Sequence, residues 1–115
     1  MLLFRAGNIE DPNLEKGNWW SNSLKRVKPY FKGKIVVIEI PLMKEEEQRF
    51  LVSKEVKKFG HHDGYGVWTK KVSDISEDLN ENYYYISPKY LETYGKMINQ
   101  FESINSLEEV QEIYG

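Results

Sequence analysis

The clearest strand pattern in the chain reads Gly33-Lys34-Ile35-Val36-Val37-Ile38-Glu39-Ile40-Pro41. Between positions 35 and 40, Glu39 is the only charged residue and every other residue is β-branched. Val and Ile favour extended backbone because their branched side chains pack well on a pleated surface. An almost continuous apolar run indicates a strand that is covered on both faces. We therefore expect residues 34–42 to form a central strand that ends around Pro41.

The residues before this strand predict a first strand, a loop and a short helix. Residues 2–6 are apolar apart from Arg5, and the Gly-Asn pair that follows stops the strand they form. Residues 8–18 are rich in Asn, Asp, Pro and Gly, which predicts a loop. Apolar residues then recur at helical spacing over about 23–31, and Pro29 shortens or kinks that helix.

Residues 43–59 are compatible with two structures. Three consecutive glutamates followed by spaced apolar residues suit one amphipathic helix that ends at Gly60. Alternatively, residues 49–52 form a short strand and residues 54–59 a helix. Both alternatives stay open at this point, and residues 61–66 form a turn or loop in either case.

The last part of the chain predicts two strands and two helices. Residues 67–72 and 83–86 are rich in aromatic and β-branched residues, which indicates strands. Residues 88–101 follow a helical pattern, and a capping box that begins at Ser106 opens a final helix near 107–114. The element order, β-loop-α-β-α-β-β-α-α, predicts one mixed α+β domain over residues 1–115.

Composition excludes several classes of protein. The chain has 115 residues, 40% hydrophobic and 14% aromatic, so it can bury a core. The net charge of −2 gives no general attraction to nucleic acid or anionic lipid. The absence of cysteine excludes disulfides, thiolate metal sites and a cysteine nucleophile, and it suits a cytoplasmic location. The apolar start is too short for a signal peptide or a membrane span.

Three segments carry a recognisable pattern. The first is Leu3-Phe4-Arg5-Ala6-Gly7. The second is Trp19-Trp20-Ser21-Asn22-Ser23, followed by a short helix that contains Tyr30 and by the strand at 33–41. The third is Asn80-Glu81-Asn82-Tyr83-Tyr84-Tyr85-Ile86-Ser87-Pro88. In this order the three segments resemble the ADP-ribosyltransferase superfamily: its aromatic-Arg-Gly opening strand, its aromatic-Ser/Thr segment, and its late strand that begins with Asn-Glu-Tyr and ends with Asp-Pro.

The resemblance implies a fold, a substrate and a set of site residues. The implied fold is a small domain with a split, mixed or antiparallel sheet and short flanking helices. NAD is the implied substrate, with Arg5, Ser21, Trp20 and Tyr30 as its binding residues. The implied protein is a cytoplasmic mono-ADP-ribosyltransferase of phage or toxin type. It would modify a macromolecular acceptor, protein or nucleic acid, such as a host factor.

The implied catalytic carboxylate is Glu81, which departs from the family pattern. The family's glutamate directly precedes the strand tyrosine, and Asn82 occupies that position here. A shift of one residue along a strand turns a side chain to the opposite face unless a bulge intervenes. Glu77 and Asp78 in the preceding loop are the alternative carboxylates.

The residue types suit the chemistry of NAD. Arginine donates forked hydrogen bonds to phosphate or ribose oxygens. Serine can hydrogen-bond the ribose, and aromatic faces can flank the nicotinamide ring. A carboxylate stabilises the oxocarbenium-like charge that develops as nicotinamide leaves.

Two other interpretations stay open. The chain could be a catalytically inactive member of the same fold that binds and inhibits a partner, which Asn82 favours, or an unrelated small α+β binding domain. In the simpler interpretations Arg5 makes a surface ion pair, Ser21 caps a helix, Trp20 and Tyr30 pack in the core, and Glu81 is a solvated charge.

Two further clusters have less specific interpretations. His61-His62-Asp63 has no third histidine to complete a site, so we predict no metal; the loop 60–66 would instead act as a lid or acceptor-recognition loop. A basic cluster comprises Lys25, Arg26, Lys28, Lys32 and Lys34. It is either a solvated helix face or a contact surface for an anionic partner.

Overall fold

The computed structural model describes residues 1–41, 49–50, 67–71 and 82–115. Within these residues the strands are β1 Leu2–Asn8, β2 Trp19–Ser21, β3 Gly33–Glu39, β4 Arg49–Phe50, β5 Val67–Lys71, β6 Asn82–Ile86 and β7 Lys96–Phe101. The helices are α1 Leu24–Val27, α2 Pro88–Tyr94 and α3 Ser106–Tyr114, with 3-10 turns at Leu14–Lys16 and Lys28–Tyr30.

The described strands are connected in one sheet in the order β4-β5-β6-β2-β1-β3-β7. The five strands whose side chains are described, β6-β2-β1-β3-β7, form an antiparallel sheet. Strand β5 is also antiparallel to β6, and β4 joins β5 in parallel. With its three short helices, the chain is a single compact α+β domain, which confirms the predicted fold class.

The predicted central strand is confirmed as β3, which is buried on both faces. Alternate side chains of a strand point to opposite faces. Val36 and Ile38 accordingly pack in one core, against which α2 places Tyr90 and Leu91. On the other face, the alternate residues of β3 pack in a second core with α1 and α3. Two covered faces explain why this segment is almost continuously apolar.

Lys34 is a buried cation at the start of β3. It is 6% exposed, and its Nζ lies 3.7 Å from Glu15 and 3.3 Å from Glu102. Burying a charge is unfavourable unless it is paired, and the two carboxylates supply that pairing. Lys34 therefore does not belong to the exposed basic cluster in which the sequence places it.

The predicted helix over 88–101 is wrong in its second half. Helix α2 ends at Tyr94, and Gly95 is extended, with φ −72° and ψ 132°. A side chain at position 95 would collide with the carbonyl oxygen of Leu91. The next six residues, Lys96–Phe101, pair with β3 instead. Pairing with the outer edge of β3 overrides their helical pattern, because sheet hydrogen bonds are tertiary and leave little trace in local sequence.

The final helix is confirmed, but its predicted capping box is wrong. Asn105 occupies the N-cap position of α3. Ser106 Oγ turns back instead, donating to the carbonyl of Ser103 at 2.7 Å and accepting from its N–H at 2.8 Å. The Ser106 hydroxyl therefore fixes the turn before the helix rather than the first helical turn.

The remaining observed elements agree in part with those predicted from the sequence. The strands predicted at 67–72 and 83–86 are present as β5 and β6, and the helix at 23–31 is shortened to α1 followed by a 3-10 turn that contains Pro29. Residues 49–50 are a strand, in agreement with the strand alternative. The other residues of 42–66 lie outside the described part. Among described residues, no helix is long and apolar enough to cross a bilayer.

Candidate functional site

The candidate site lies where β1 meets β2. These strands share one register pair, Phe4 with Ser21, whereas β1 pairs with β3 along its whole length. A cavity of about 440 Å³ lies at this junction. Its walls are formed by Phe4, Arg5, Ala6, Trp19, Trp20, Ser21, Val27, Tyr30 and Tyr83. All four residues predicted to bind NAD therefore line one cavity, although they come from three different elements, β1, β2 and the 3-10 turn at Lys28–Tyr30.

Arg5 lies at the junction itself. Its Nη1 donates to the main-chain carbonyl of Trp19 at 3.0 Å, which bridges the strands beside their single paired position. Burial lowers the pKa of Arg5, and the negative charge of Asp11 offsets part of that effect. The Nε atom has no hydrogen-bond partner within the described ranges. A guanidinium carries five N–H donors, and the bond to Trp19 uses one of them.

Gly17 makes room for the Arg5 guanidinium. A Cβ atom built at position 17 would overlap with Cζ, Nε and Nη2 of Arg5. The backbone of Gly17 is ordinary extended chain, with φ −64° and ψ 159°, so space rather than conformation requires glycine here. Its carbonyl also accepts the indole N–H of Trp20 at 2.7 Å. The loop before β2 therefore positions the arginine from one side.

Substituting Gly17→Ala should displace the Arg5 guanidinium from the Trp19 carbonyl. We expect a loss of about 1.5–3 kcal/mol in unfolding free energy, the usual value of a hydrogen bond to a charged group. Urea denaturation should show that loss in the wild type and almost none in an Arg5→Ala background, because the colliding group is gone. An equal loss in both backgrounds would show that position 17 needs glycine for another reason.

Ser21 connects the site to β6. It is fully buried, and its Oγ donates to the carbonyl of Asn82 at 2.9 Å while accepting the N–H of Ser23 at 3.1 Å. The hydroxyl proton is therefore used within the protein, and one lone pair stays available to accept a further hydrogen bond. Ser21 also orders the entry to α1, where Ser23 is the N-cap residue.

Aromatic side chains form much of the cavity wall. Trp19 packs edge-on against Tyr85, with ring centroids 5.2 Å apart. Tyr30, which also lines the cavity, is 60% exposed. Trp20 is 1% exposed and belongs to the core on the α2 side of the sheet, so its indole serves mainly as a packed anchor. Aromatic faces with a cation among them suit a flat, polar ring.

Tyr83 lines the cavity and Gly17 makes room for the Arg5 guanidinium, and neither role was predicted from the sequence. Three consecutive tyrosines indicate a strand, but only the register shows which of them faces the cavity. Tyr84 and Tyr85 are buried, and burial raises the pKa of Tyr84, an effect partly offset by the hydrogen bond from Asn82. Tyr83 is half-buried and lines the cavity. The sequence signal for Gly17 is its position two residues before the Trp19-Trp20 pair. That signal is weak by itself.

Several predicted residues cannot be placed. Glu81, its alternatives Glu77 and Asp78, and the His61-His62-Asp63 segment lie outside the described residues. Across the ranges that are described, no group of three His, Cys, Asp or Glu side chains comes together as metal ligands.

The fold and the site define a small α+β domain with an aromatic cavity at a sheet junction. Arg5 is the charged residue among those lining it. Comparisons with protein-family models, with curated proteins and with solved structures find no match to this chain. What the cavity binds is therefore inferred from its own chemistry and from the sequence resemblance.

Proposed function

We propose that this chain is an ADP-ribosyltransferase-like effector that binds the nicotinamide end of NAD in the β1/β2 cavity. The observation that carries the proposal is that Arg5 and Ser21 line one cavity together with Tyr30 and Trp20. The resemblance implies these four residues as the NAD-binding set. They lie in different elements of the chain, so the fold, and not sequence proximity alone, brings them together. The acceptor of ADP-ribose is a macromolecule, and the setting is the cytoplasm.

The cavity chemistry supports this ligand. A partly desolvated guanidinium with unused donors favours phosphate or amide oxygens. The faces of Trp19 and Tyr83 suit the nicotinamide ring. The volume of 440 Å³ falls within the range of about 300–1,000 Å³ that small-molecule sites occupy.

The β1/β2 junction also supports the finer fold assignment. A single register pair joins the half-sheet β6-β2 to the half-sheet β1-β3-β7. A sheet joined this narrowly has the two-part character of the split sheet that the resemblance implies, with the cavity between the parts.

The catalytic carboxylate in this proposal is Glu81. The two residues that follow it belong to the site: Tyr83 lines the cavity, and the Asn82 N–H donates to Asn22 Oδ1 at 2.9 Å while its carbonyl accepts from Ser21. Glu81 itself lies outside the described residues and is proposed from the resemblance.

The proposed reaction breaks the bond between nicotinamide and C1′ of the ribose. Nicotinamide leaves with the bonding electron pair, and the carboxylate stabilises the positive charge on the sugar. A nucleophile of the acceptor then forms a bond to C1′ and loses its proton. Arg5, Ser21 and the aromatic walls bind and orient NAD for this step.

The experiment is incubation of the pure protein with NAD. We expect NAD to raise the melting temperature and nicotinamide to appear by chromatography. Glu81→Gln should keep the stabilisation and stop the release, whereas Glu108→Gln on the exposed face of α3 should change neither. Absence of both stabilisation and release would reject the proposal.

Asn82 in place of the family's glutamate favours a second candidate, an interaction protein that keeps the fold without catalysis. NAD would then stabilise the protein, and no nicotinamide would be released by the wild type. That outcome assigns the cavity to binding alone.

A further inference from the structure

The segment that forms one cavity wall also presents cations to solvent. Val27 and Tyr30 line the cavity, and they belong to α1 and the 3-10 turn that follows it. Lys25 lies within α1, and Lys32 follows the turn, where its main-chain N–H donates to the carbonyl of Gly7 at 3.0 Å. Both lysine side chains are exposed. The cavity wall and the cations are thus carried by one short stretch of chain.

The lysines of this region fall into two groups. Lys34 is buried between two carboxylates, and Lys28 donates to Gln111 at 3.0 Å on the acidic helix α3. Lys25 and Lys32 differ, because neither side chain has a hydrogen bond or ion pair with any residue that the structure describes. Two such cations on the stretch of chain that carries one cavity wall favour an anionic partner.

Tyr30, which lies between Lys25 and Lys32 in the sequence, supplies an exposed aromatic face. Its side chain is 60% exposed although it lines the cavity, so most of its surface contacts neither core. An exposed aromatic ring flanked by lysines is the combination that binds single-stranded nucleic acid: the ring stacks on a base and the cations contact phosphates. An acidic protein segment could pair with the lysine cations, but it has no base that would stack on the Tyr30 ring.

We propose that Lys25, Tyr30 and Lys32, here called the basic rim, bind single-stranded nucleic acid at the mouth of the cavity. The role of that nucleic acid as the ADP-ribose acceptor rests on the proposed function, whereas the binding itself does not.

The test measures fluorescence anisotropy of a labelled single-stranded oligonucleotide of about 12 nucleotides, a length that covers one such site, without NAD. With two phosphate contacts, we expect affinity to fall about sevenfold between about 50 and 200 mM salt. Lys25→Glu/Lys32→Glu should weaken binding at least about tenfold and flatten the salt dependence. Tyr30→Ala should weaken binding about fivefold or more by removing a stacked base.

The matched control is Lys89→Glu/Lys96→Glu, which makes the same charge change on exposed residues of α2 and β7. It should retain most of the wild-type affinity. Equal weakening by the two double variants, an unchanged affinity in Tyr30→Ala, or an acidic peptide that competes as well as unlabelled oligonucleotide would each overturn the proposal. Because NAD is absent, failure here leaves the nicotinamide-release experiment unaffected.

Discussion

Replacing Trp20 with alanine should destabilise the protein by about 4 kcal/mol, since truncating a buried aromatic side chain costs about 3–5 kcal/mol. Trp20 is 1% exposed and packs with Leu3, Ile86 and other residues of the core on the α2 side. Its indole N–H donates to Gly17 at 2.7 Å. Alanine therefore leaves both a cavity and an unpaired carbonyl. A small domain has little stability beyond such a loss.

The neighbouring tryptophan provides the matched control. Trp19 is half-buried, and its ring packs on Tyr85 rather than in the central core. Trp19→Ala should cost less than half as much as Trp20→Ala in urea denaturation followed by far-ultraviolet circular dichroism. Trp20→Phe should fall between them, because it keeps most of the apolar volume and loses the hydrogen bond. A larger loss for Trp19→Ala than for Trp20→Ala would show that β2 faces the other way, and equal losses would contradict the different burial of the two side chains.

This pair of tryptophans shows where sequence reasoning ends. Two adjacent aromatic residues must point to opposite faces if they lie on a strand. The sequence placed them at the end of a loop, because a three-residue strand is too short for an alternating pattern to be visible. Strand β2 is defined by its pairing with β6, more than 60 residues away. No local pattern encodes that partner, so core packing was one interpretation of Trp20, but the sequence did not show which of the two tryptophans faces the core.

Longer elements were predictable because their burial is periodic or continuous. Strand β3 is apolar on both faces, and a sheet covered on both sides requires that composition. Strand β7 was missed for the opposite reason. It lies at the edge, and most of its residues are exposed, so its sequence carries no strand pattern.

Four residues chosen from the sequence line one cavity, but the geometry of that cavity was not predicted. Arg5 and Ser21 were chosen from a motif resemblance, which has no information about what holds the guanidinium. The structure adds Gly17 as the residue that admits it and the Trp19 carbonyl that orients it. Both depend on a loop packing against the end of a strand, and loops of this kind have no periodic signature.

On the proposed function, replacing Arg5 with lysine should weaken NAD binding about 10- to 100-fold, which corresponds to one lost charge-assisted hydrogen bond of about 1.5–3 kcal/mol. Lysine keeps the charge but lacks the planar fork that can hold the Trp19 carbonyl and a ligand oxygen together. Arg5→Ala should weaken binding further, because the charge is removed as well. Isothermal titration with NAD measures all three proteins.

The effect on binding must be separated from an effect on folding. Arg5 makes one hydrogen bond across the β1/β2 junction, so Arg5→Lys should lower the unfolding free energy by only about 1 kcal/mol and leave the protein folded at room temperature. Arg26→Lys is the matched control, since it makes the same exchange on α1 at a residue that does not line the cavity. Weak binding in Arg5→Lys alone would show that the fork at the junction contacts the ligand. The same weakening in Arg26→Lys would show that the loss of NAD binding is not specific to the fork at the junction, and Arg5 would then be a structural bridge between two strands.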